Sequence, residues 1–310
     1  MIPDKASLSS MASGVFDSFA ERRIATRNGA VFVRIGGSGP AALLLHGFPQ
    51  TGLMWREIAP LLAADFSVVV ADLPGYGDSD SPGDQDQHAS MSKRQIADTL
   101  VEVMNACGHE RFAVVGHDRG GRVAYRAALD HADRITHAAM LDVIPTFEVW
   151  DRADSRLALA FWPFSLLAQP APLPEQLVCA APEVIVDNAL TAWGSDPKAF
   201  PDWVRAAYVD ALRDPDRVHT ICEEYRAAAG IDREHDKSDL DADRQIRCPS
   251  LVLWSNRGGL AFWYEDAGGP LGIWRRWAND LRGHPMSAGH FFPEELPTET
   301  ARHIAGFLHT

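Results

Sequence analysis

The sequence predicts an α/β fold in which a mostly parallel sheet is covered by helices on both faces. Short apolar runs of strand length alternate with longer segments of helical periodicity, as in sheets whose parallel strands are joined by crossover helices. The apolar runs predict strands at 41–47, 66–75, 111–118, 135–143 and 249–256. The helical patterns predict helices near 54–62, 92–107, 120–131 and 294–308.

The alternation stops between Pro145 and Gln245. That stretch is rich in Trp, Phe, Pro and Ala, and it has helical periodicity without a convincing buried strand. We therefore predict a core formed by residues 1–144 and 246–310, with a helical cap at 145–245 inserted between two strands. A cap at this point would lie over the carboxyl ends of the strands, where open α/β sheets bind ligands.

Composition excludes several classes of partner. The 310-residue chain has a formal net charge of -13, so its surface repels nucleic-acid phosphates and anionic lipids, and neither partner is expected. The four cysteines form no C-x-x-C pair and are interpreted as reduced thiols, mostly buried. The N-terminus has no basic segment followed by an apolar one, and no apolar stretch reaches the ~18 residues of a membrane span. A cytoplasmic protein is expected.

Residues 116–122 read GHDRGGR and directly follow the apolar run RFAVV. A strand, then Gly-x-Asp-x-Gly, then a helix is typical of a nucleophile elbow, whose flanking glycines permit a tight, strained turn. Asp118 stands where serine hydrolases carry Ser. A carboxylate can displace a leaving group from a saturated carbon without prior deprotonation, forming an ester. We therefore predict that Asp118 is a nucleophile.

Hydrolysis of such an ester requires a general base and a group that orients it. His290, in SAGHFFPEE, precedes a predicted helix near the end of the chain, and an imidazole can deprotonate water near neutral pH. An acid should hold that imidazole in the correct tautomer. Asp142, at the end of strand 135–143, is the predicted acid.

The chain resembles α/β-hydrolases from end to end, and GHDRGGR resembles the haloacetate and fluoroacetate dehalogenases among them. Haloalkane dehalogenases and epoxide hydrolases also use an Asp nucleophile, but they typically carry Trp where this chain has Arg119. The resemblance implies an α/β-hydrolase fold and supports the choice of Asp142. HGFP at 46–49 matches the oxyanion-hole loop, so the backbone N–H groups of Phe48 and Arg119 are expected to stabilise an oxyanion. His46 is interpreted as structural.

Arg119 and Arg122 lie three positions apart and therefore share a face of the helix that begins at the elbow. Two fixed guanidiniums can hold a carboxylate through forked hydrogen bonds and locally reverse the field of an acidic protein. The predicted substrate is a small carboxylic acid with a leaving group on its α-carbon. The alternatives are solvated helix charges and, for Arg122, an ion pair with Asp142.

The segment FWPFSLLAQPAP resembles the family's WHWSFLAQPAP, in which a His-Trp pair donates hydrogen bonds to the departing halide. Pro163 and Phe164 occupy those two positions here, and neither side chain can donate. Trp162 and Tyr225, the latter in CEEYRA, are the other residues assigned to this pocket. We therefore expect chloride and bromide to be released more readily than fluoride.

The predicted function is hydrolytic dehalogenation of small 2-haloacids through an aspartyl ester, without a cofactor or a metal. One alternative is an epoxide hydrolase acting on a small carboxylated epoxide, which would require acidic tyrosines such as Tyr208 and Tyr225. Another is a non-catalytic ligand receptor on the same fold. The joint presence of Asp118, Asp142 and His290 argues against a receptor, which has no need for a base. The sequence leaves the natural halide and the formation of a homodimer open.

Overall fold

A computed structural model describes residues 5–310, which form an eight-stranded sheet with the order β1-β2-β4-β3-β5-β6-β7-β8. The strand β2 pairs antiparallel with β1 and β4, and every other neighbouring pair is parallel. The predicted, mostly parallel sheet is confirmed. The strands are β1 (Ala20–Thr26), β2 (Gly29–Gly36), β3 (Ala41–Leu45), β4 (Ser67–Ala71), β5 (Phe112–His117), β6 (Ile135–Leu141), β7 (Ser250–Ser255) and β8 (Leu281–Met286).

Helices precede, connect and follow the strands. Before β6 these are α1 (Lys5–Val15), α2 (Ile58–Leu62), α3 (Lys93–Ala106) and α4 (Arg119–Asp130). The stretch between β6 and β7 contains α5 (Thr146–Asp151), α6 (Ser155–Ala160), α7 (Pro163–Leu166), α8 (Leu173–Ala180), α9 (Pro182–Ala192), α10 (Asp202–Ala211), α11 (Pro215–Ala229) and α12 (Ile231–Asp241). After β7 follow α13 (Gly269–Trp274), α14 (Phe292–Glu295) and α15 (Pro297–Leu308). We refer to residues 145–245 as the helical insertion.

The predicted strands are those at the centre of the sheet. All residues of β3, β4 and β5 are buried, which requires cover on both faces and explains their continuous apolar sequences. At the two edges, β1 is largely exposed and β8 is mostly only partly buried, so both lack an apolar run and were not predicted. The strand β2 was also missed, although four consecutive residues within it are buried.

Three local expectations need correction. The predicted helix 54–62 is a 3-10 turn at Gly52–Trp55 followed by the short α2. The predicted helix 294–308 is divided at Leu296, because Pro297 begins α15 and cannot continue a preceding helix. Cys222 is the one buried cysteine, and the other three are partly exposed, so the thiols are less buried than expected.

The topology gathers the predicted site residues at one edge of the sheet. Asp118 follows β5, and Asp142 follows the neighbouring parallel strand β6. Because the carboxyl ends of parallel strands lie at the same edge, the loops after β3, β5, β6 and β8 converge there. Across residues 5–310, no helix is both long enough and apolar enough to span a bilayer.

Candidate active site

Asp118 lies in a tight turn between β5 and α4. Its backbone has φ 47° and ψ -114°, a conformation that a non-glycine residue adopts at a cost of about 1–3 kcal/mol. A Cβ atom on Gly116 would collide with the backbone of Gly120, and one on Gly120 would collide with the carbonyl of His46. The two flanking glycines are therefore sterically required, as in a nucleophile elbow.

The loop after β3 approaches the nucleophile closely. The backbone N–H of Phe48 donates to Asp118 Oδ1 at 3.0 Å, and a Cβ atom on Gly47 would collide with the Asp118 side chain. One carboxylate oxygen of Asp118 is thus bound to the predicted oxyanion-hole loop, which leaves Oδ2 as the candidate attacking atom. The backbone N–H of Arg119, at the start of α4, stays a prediction as the second donor.

The buried side chain of His46 connects the loop after β3 to the backbone of Leu73. Its Nε2 accepts a hydrogen bond from the backbone N–H of Leu73 at 2.9 Å, so its proton resides on Nδ1, which lies 3.0 Å from the carbonyl oxygen of Gly47. Burial lowers the pKa of His46, which favours the neutral ring. These contacts agree with a structural role.

His290 and Asp142 form a buried pair. His290 Nδ1 lies 2.6 Å from Asp142 Oδ2, and the other oxygen of Asp142 accepts from the backbone N–H of Ser255 at 2.7 Å. Because the Nδ1–H group donates its hydrogen bond to Asp142, Nε2 is the basic nitrogen of the neutral ring. His290 Nε2 is buried and has no hydrogen-bond partner within residues 5–310. It is therefore available to a water or a substrate.

The charges of the site favour an ionised nucleophile. Burial opposes ionisation of Asp118, but the charges of His290 and Arg119 outweigh it and lower the pKa of Asp118. Burial likewise opposes protonation of His290, yet its hydrogen bond to Asp142 and the charges of Asp142 and Asp118 raise the pKa of the imidazole. The site therefore favours an ionised Asp118 next to an imidazole that binds a proton more readily than a free one.

Arg119 and Arg122 are buried and each keeps an unpaired nitrogen. Arg119 Nε donates to Glu224 Oε1 at 3.0 Å, and Arg122 Nη1 donates to the carbonyl oxygen of Ile144 at 2.9 Å. Arg119 Nη1 and Arg122 Nε are buried without a hydrogen-bond partner among the described residues. Because both arginines are buried, they are not solvated helix charges. Arg122 donates to the backbone of Ile144 and forms no ion pair with Asp142 among the described residues. Two unpaired cationic donors beside Asp118 suit an anionic ligand.

Aromatic rings surround the two guanidiniums. The Phe164 ring centroid lies 5.2 Å from Arg122 Cζ and 5.9 Å from Arg119 Cζ, and the Tyr225 ring lies 4.0 Å from Arg119 Cζ. Phe48 and Phe164 both contact Tyr225 edge to face. The cationic site is therefore enclosed by apolar surface, which strengthens its interaction with an anion because water is excluded.

Comparison with known proteins identifies the family. A family model described as the alpha/beta hydrolase fold matches residues 40–295. The chain is 39% identical to a fluoroacetate dehalogenase from Burkholderia sp., over 95% of this chain and 95% of that protein. It is an α/β-hydrolase of the fluoroacetate dehalogenase family.

Solved structures resemble this hydrolase over nearly its whole length. An α/β hydrolase from Nostoc sp. superposes with a TM-score of 0.91 at 44% identity, covering 94% of this chain and 99% of that one. A variant of a Pseudomonas aeruginosa protein assigned as an epoxide hydrolase, solved with bound MFA, superposes with a TM-score of 0.87 at 42% identity, covering 94% of this chain and 96% of that one. The fold and the family are thereby established.

The aromatic residues assigned to the leaving-group pocket differ in what they can donate. The Trp162 indole N–H donates to Asn188 Oδ1 at 2.6 Å, so it is engaged within the insertion and is not a free donor, and the assignment of Trp162 to the pocket stays a prediction. Pro163 and Phe164 are buried in α7 and offer no donor. Tyr225 is buried, and its hydroxyl forms no hydrogen bond with any residue that the structure describes. Tyr225 is thus the one assigned donor left for a leaving group.

The two tyrosines that an epoxide hydrolase would require do not form an equivalent pair in this hydrolase. The Tyr208 hydroxyl donates to Glu294 Oε1 at 3.1 Å, in a buried cluster that also contains the ion pair between Arg56 and Glu294. Tyr225, in contrast, lies against Arg119. A protonating pair formed by Tyr208 and Tyr225 is therefore not supported by this geometry.

Glu224 was not identified from the sequence. It is fully buried on α11, where Oε1 lies 2.8 Å from Lys93 Nζ in addition to its contact with Arg119, and Oε2 accepts from the Tyr76 hydroxyl at 2.7 Å. Burial opposes its ionisation, but Arg119 and Lys93 lower the pKa of Glu224 to about 2. Glu224 therefore fixes the orientation of the Arg119 guanidinium. The sequence signal that could have identified it is a carboxylate adjacent to Tyr225, a residue already assigned to the pocket.

Proposed function

We propose that this hydrolase releases halide from small 2-haloacids, converting a haloacetate and water into glycolate, halide and a proton through an ester on Asp118. The observation that carries this proposal is the pair of buried, incompletely paired guanidiniums of Arg119 and Arg122 beside an ionised nucleophile. A neutral substrate would leave the buried donors Arg119 Nη1 and Arg122 Nε less well satisfied, whereas a carboxylate can accept hydrogen bonds from both. The 39% identity to a fluoroacetate dehalogenase supports the same conclusion.

The first step is a displacement at the α-carbon. Asp118 Oδ2 attacks the carbon opposite the halogen, the new carbon–oxygen bond forms, and the halide leaves with the electron pair of the broken bond. Asp118 Oδ1, which already accepts from the Phe48 N–H, becomes the carbonyl oxygen of the ester. The arginines hold the substrate carboxylate so that the α-carbon lies within reach of Oδ2.

The second step hydrolyses the ester. His290 Nε2 removes a proton from a water whose oxygen attacks Asp118 Cγ, and the negative charge that develops on Oδ1 is stabilised by the Phe48 N–H. The ester bond then breaks, and the departing alkoxide takes the proton from His290 to give the 2-hydroxy acid. The regenerated Asp118 carboxyl releases its remaining proton to solvent.

A substrate screen tests the proposal. Fluoroacetate, chloroacetate, bromoacetate, 2-chloropropionate and a carboxylated epoxide are incubated with the protein, and both halide and organic product are quantified. Chloroacetate and bromoacetate should yield equal amounts of halide and glycolate. Release of no halide from any haloacid, together with diol formation from the epoxide, would contradict the proposal.

A carboxylated epoxide is the second candidate substrate. It is favoured by the unpaired hydroxyl of Tyr225 beside Arg119 and by the 29% identity to a soluble epoxide hydrolase from Corynebacterium sp. over 84% of this chain. Ring opening on Asp118 would then draw a proton from Tyr225 alone, because the Tyr208 hydroxyl is bound to Glu294. The same screen distinguishes the two candidates by their products.

The proposed carboxylate site predicts a binding defect in Arg122→Lys. Lys cannot reproduce a forked hydrogen bond, and a lost charge-assisted bond of ~1.5–3 kcal/mol corresponds to about a 10- to 100-fold rise in KM for chloroacetate. The change in kcat should be smaller, since Lys retains the charge. Steady-state kinetics measure both. Arg134→Lys, at an exposed arginine outside the site, should leave KM unchanged, and equal turnover of chloroacetate and chloroacetamide by the wild type would contradict the site.

The titration of His290 predicts different pH dependences for the two steps. Hydrolysis needs the neutral imidazole, whose pKa is raised, so kcat should rise with pH through that pKa when hydrolysis limits turnover. Displacement needs only ionised Asp118, whose pKa is lowered, so kcat/KM should be flat over the same range. In Asp142→Asn the rise in kcat with pH should occur at lower pH, because the charge of Asp142 no longer raises the pKa of His290. An equally large rise of kcat/KM with pH would argue against separate roles for His290 and Asp118.

A further inference from the structure

A turn of the helical insertion contacts the loop that carries His290. We call residues 193–196, which follow α9, the insertion turn. Gly194 in this turn has φ +83°, and a Cβ atom on Gly289, the residue before His290, would collide with the backbone of Gly194 and Ser195. The two backbones are therefore in direct contact, and a glycine at position 289 is what permits it.

The insertion turn supplies hydrogen-bond acceptors to the histidine loop. The backbone N–H of His290 donates to the carbonyl oxygen of Trp193 at 3.0 Å, and the backbone N–H of Phe291 donates to Ser195 Oγ at 3.0 Å. The Trp193 ring also lies perpendicular to the His290 imidazole, with centroids 5.3 Å apart. Both backbone donors at the general base are thus satisfied by a segment outside the α/β core.

Glu295 connects the two loops from the other side. Its Oε1 accepts from the Ser195 hydroxyl at 2.6 Å and from the backbone N–H of Gly289 at 2.9 Å. Its Oε2 accepts from the backbone N–H of Asp196 at 3.2 Å. The Ser195 hydroxyl is therefore the link between the carboxylate of Glu295 and the amide next to His290, since it donates to one and accepts from the other.

The contacts of the insertion turn with the backbone of residues 290 and 291 restrain a rotation of the His290 ring that its hydrogen bond to Asp142 does not prevent. The hydrogen bond between His290 Nδ1 and Asp142 fixes one atom of the imidazole, and the ring can still pivot about that bond. The direction of Nε2 then depends on where the backbone of residues 290 and 291 is held. A general base must lie within hydrogen-bond distance of its water, and small displacements cost large factors in rate.

We propose that Ser195 is a positioning residue for His290, so that hydrolysis of the Asp118 ester depends on the insertion turn while formation of the ester does not. This assignment rests on the proposed function, since it concerns the second of the two steps. Displacement involves Asp118, Phe48 and the arginines, none of which contacts the Ser195 hydroxyl. The helical insertion thereby contributes to the base as well as enclosing the substrate.

The Ser195→Ala variant separates the two steps. Chloroacetate is mixed with the protein and quenched in acid at successive times; chloride release reports displacement, and the ester on Asp118 is quantified by intact mass. Removing the hydroxyl eliminates its hydrogen bonds with Glu295 and Phe291, and should slow hydrolysis by about tenfold while leaving displacement within about twofold of wild type. The ester should therefore accumulate. Thr191→Ala, which removes an exposed hydroxyl from α9 two residues before the turn, should behave as wild type.

Several outcomes would overturn the assignment. Equal slowing of both steps in Ser195→Ala would indicate a general loss of structure, and unchanged hydrolysis would show that the hydroxyl does not position the base. The wild type is assayed alongside with chloroacetate and bromoacetate, so a failure of the proposed function appears as an absence of halide release by the wild type itself.

If the wild type releases no halide, a measurement without substrate still tests whether Ser195 positions His290. The proton shared by His290 Nδ1 and Asp142 should give a downfield NMR signal, and its exchange with water reports how firmly the imidazole is held. Exchange should be faster in Ser195→Ala than in wild type and unchanged in Thr191→Ala. Equal exchange in all three proteins would refute a positioning role for Ser195.

Discussion

His290→Ala should convert Asp118 into a stable ester when the protein is given chloroacetate. Displacement needs the ionised carboxylate, which the charge of Arg119 and the amide of Phe48 still support, but hydrolysis loses its base. Loss of general-base catalysis typically reduces a rate by about 10²- to 10⁴-fold, so turnover should nearly stop after one equivalent of chloride. Intact mass spectrometry should detect one added carboxymethyl group, and peptide mapping should locate it at Asp118.

Two variants control this result. Asp118→Asn removes the nucleophile and should show neither the added mass nor the single equivalent of chloride. His303→Ala removes a histidine on α15, outside the site, and should turn over chloroacetate like the wild type. An unmodified His290→Ala protein that nonetheless releases one equivalent of chloride would contradict a covalent route.

The candidate catalytic residues could be located from the sequence because each lies in a recognisable local pattern. Asp118 lies between two glycines after a buried strand, and Asp142 ends the next apolar run. His290 lies in a short motif before a helix. Because parallel strands have their carboxyl ends at the same edge of a sheet, the apolar runs were enough to place Asp118 and Asp142 at one edge. His290 follows β8, a strand that was not predicted.

Contacts between distant segments could not be predicted in this way. Glu224 reaches Arg119 across 105 positions of the chain, and Ser195 reaches Phe291 across 96. Neither contact leaves a periodic signal, because each depends on how the insertion packs on the core. The direction of the Trp162 indole N–H, which donates to Asn188, depends in the same way on the packing of α7 against α9.

The leaving-group pocket should favour chloride and bromide over fluoride. Phe164 lies beside both arginines without a donor, and Pro163 likewise has none, where the family carries a His-Trp pair. Hydrogen bonds to a charged group contribute ~1.5–3 kcal/mol each, so two missing donors correspond to about 10²- to 10⁴-fold in rate. Fluoride depends most on such donors. Wild-type kcat/KM should therefore be higher for chloroacetate and bromoacetate than for fluoroacetate, as measured by halide release.

Restoring the donors should reverse part of this preference. Pro163→His with Phe164→Trp should raise kcat/KM for fluoroacetate more than for chloroacetate, and the chloroacetate rate of the same variant serves as its internal control. Pro163 is the first residue of α7, where no backbone N–H is required, so the helix can begin with His instead. The larger Trp must fit the buried position of Phe164, and thermal unfolding of each single variant tests whether the protein remains folded. If the wild type already prefers fluoroacetate, Tyr225 or another donor must solvate the fluoride, and the pocket assigned to Pro163 and Phe164 is wrong.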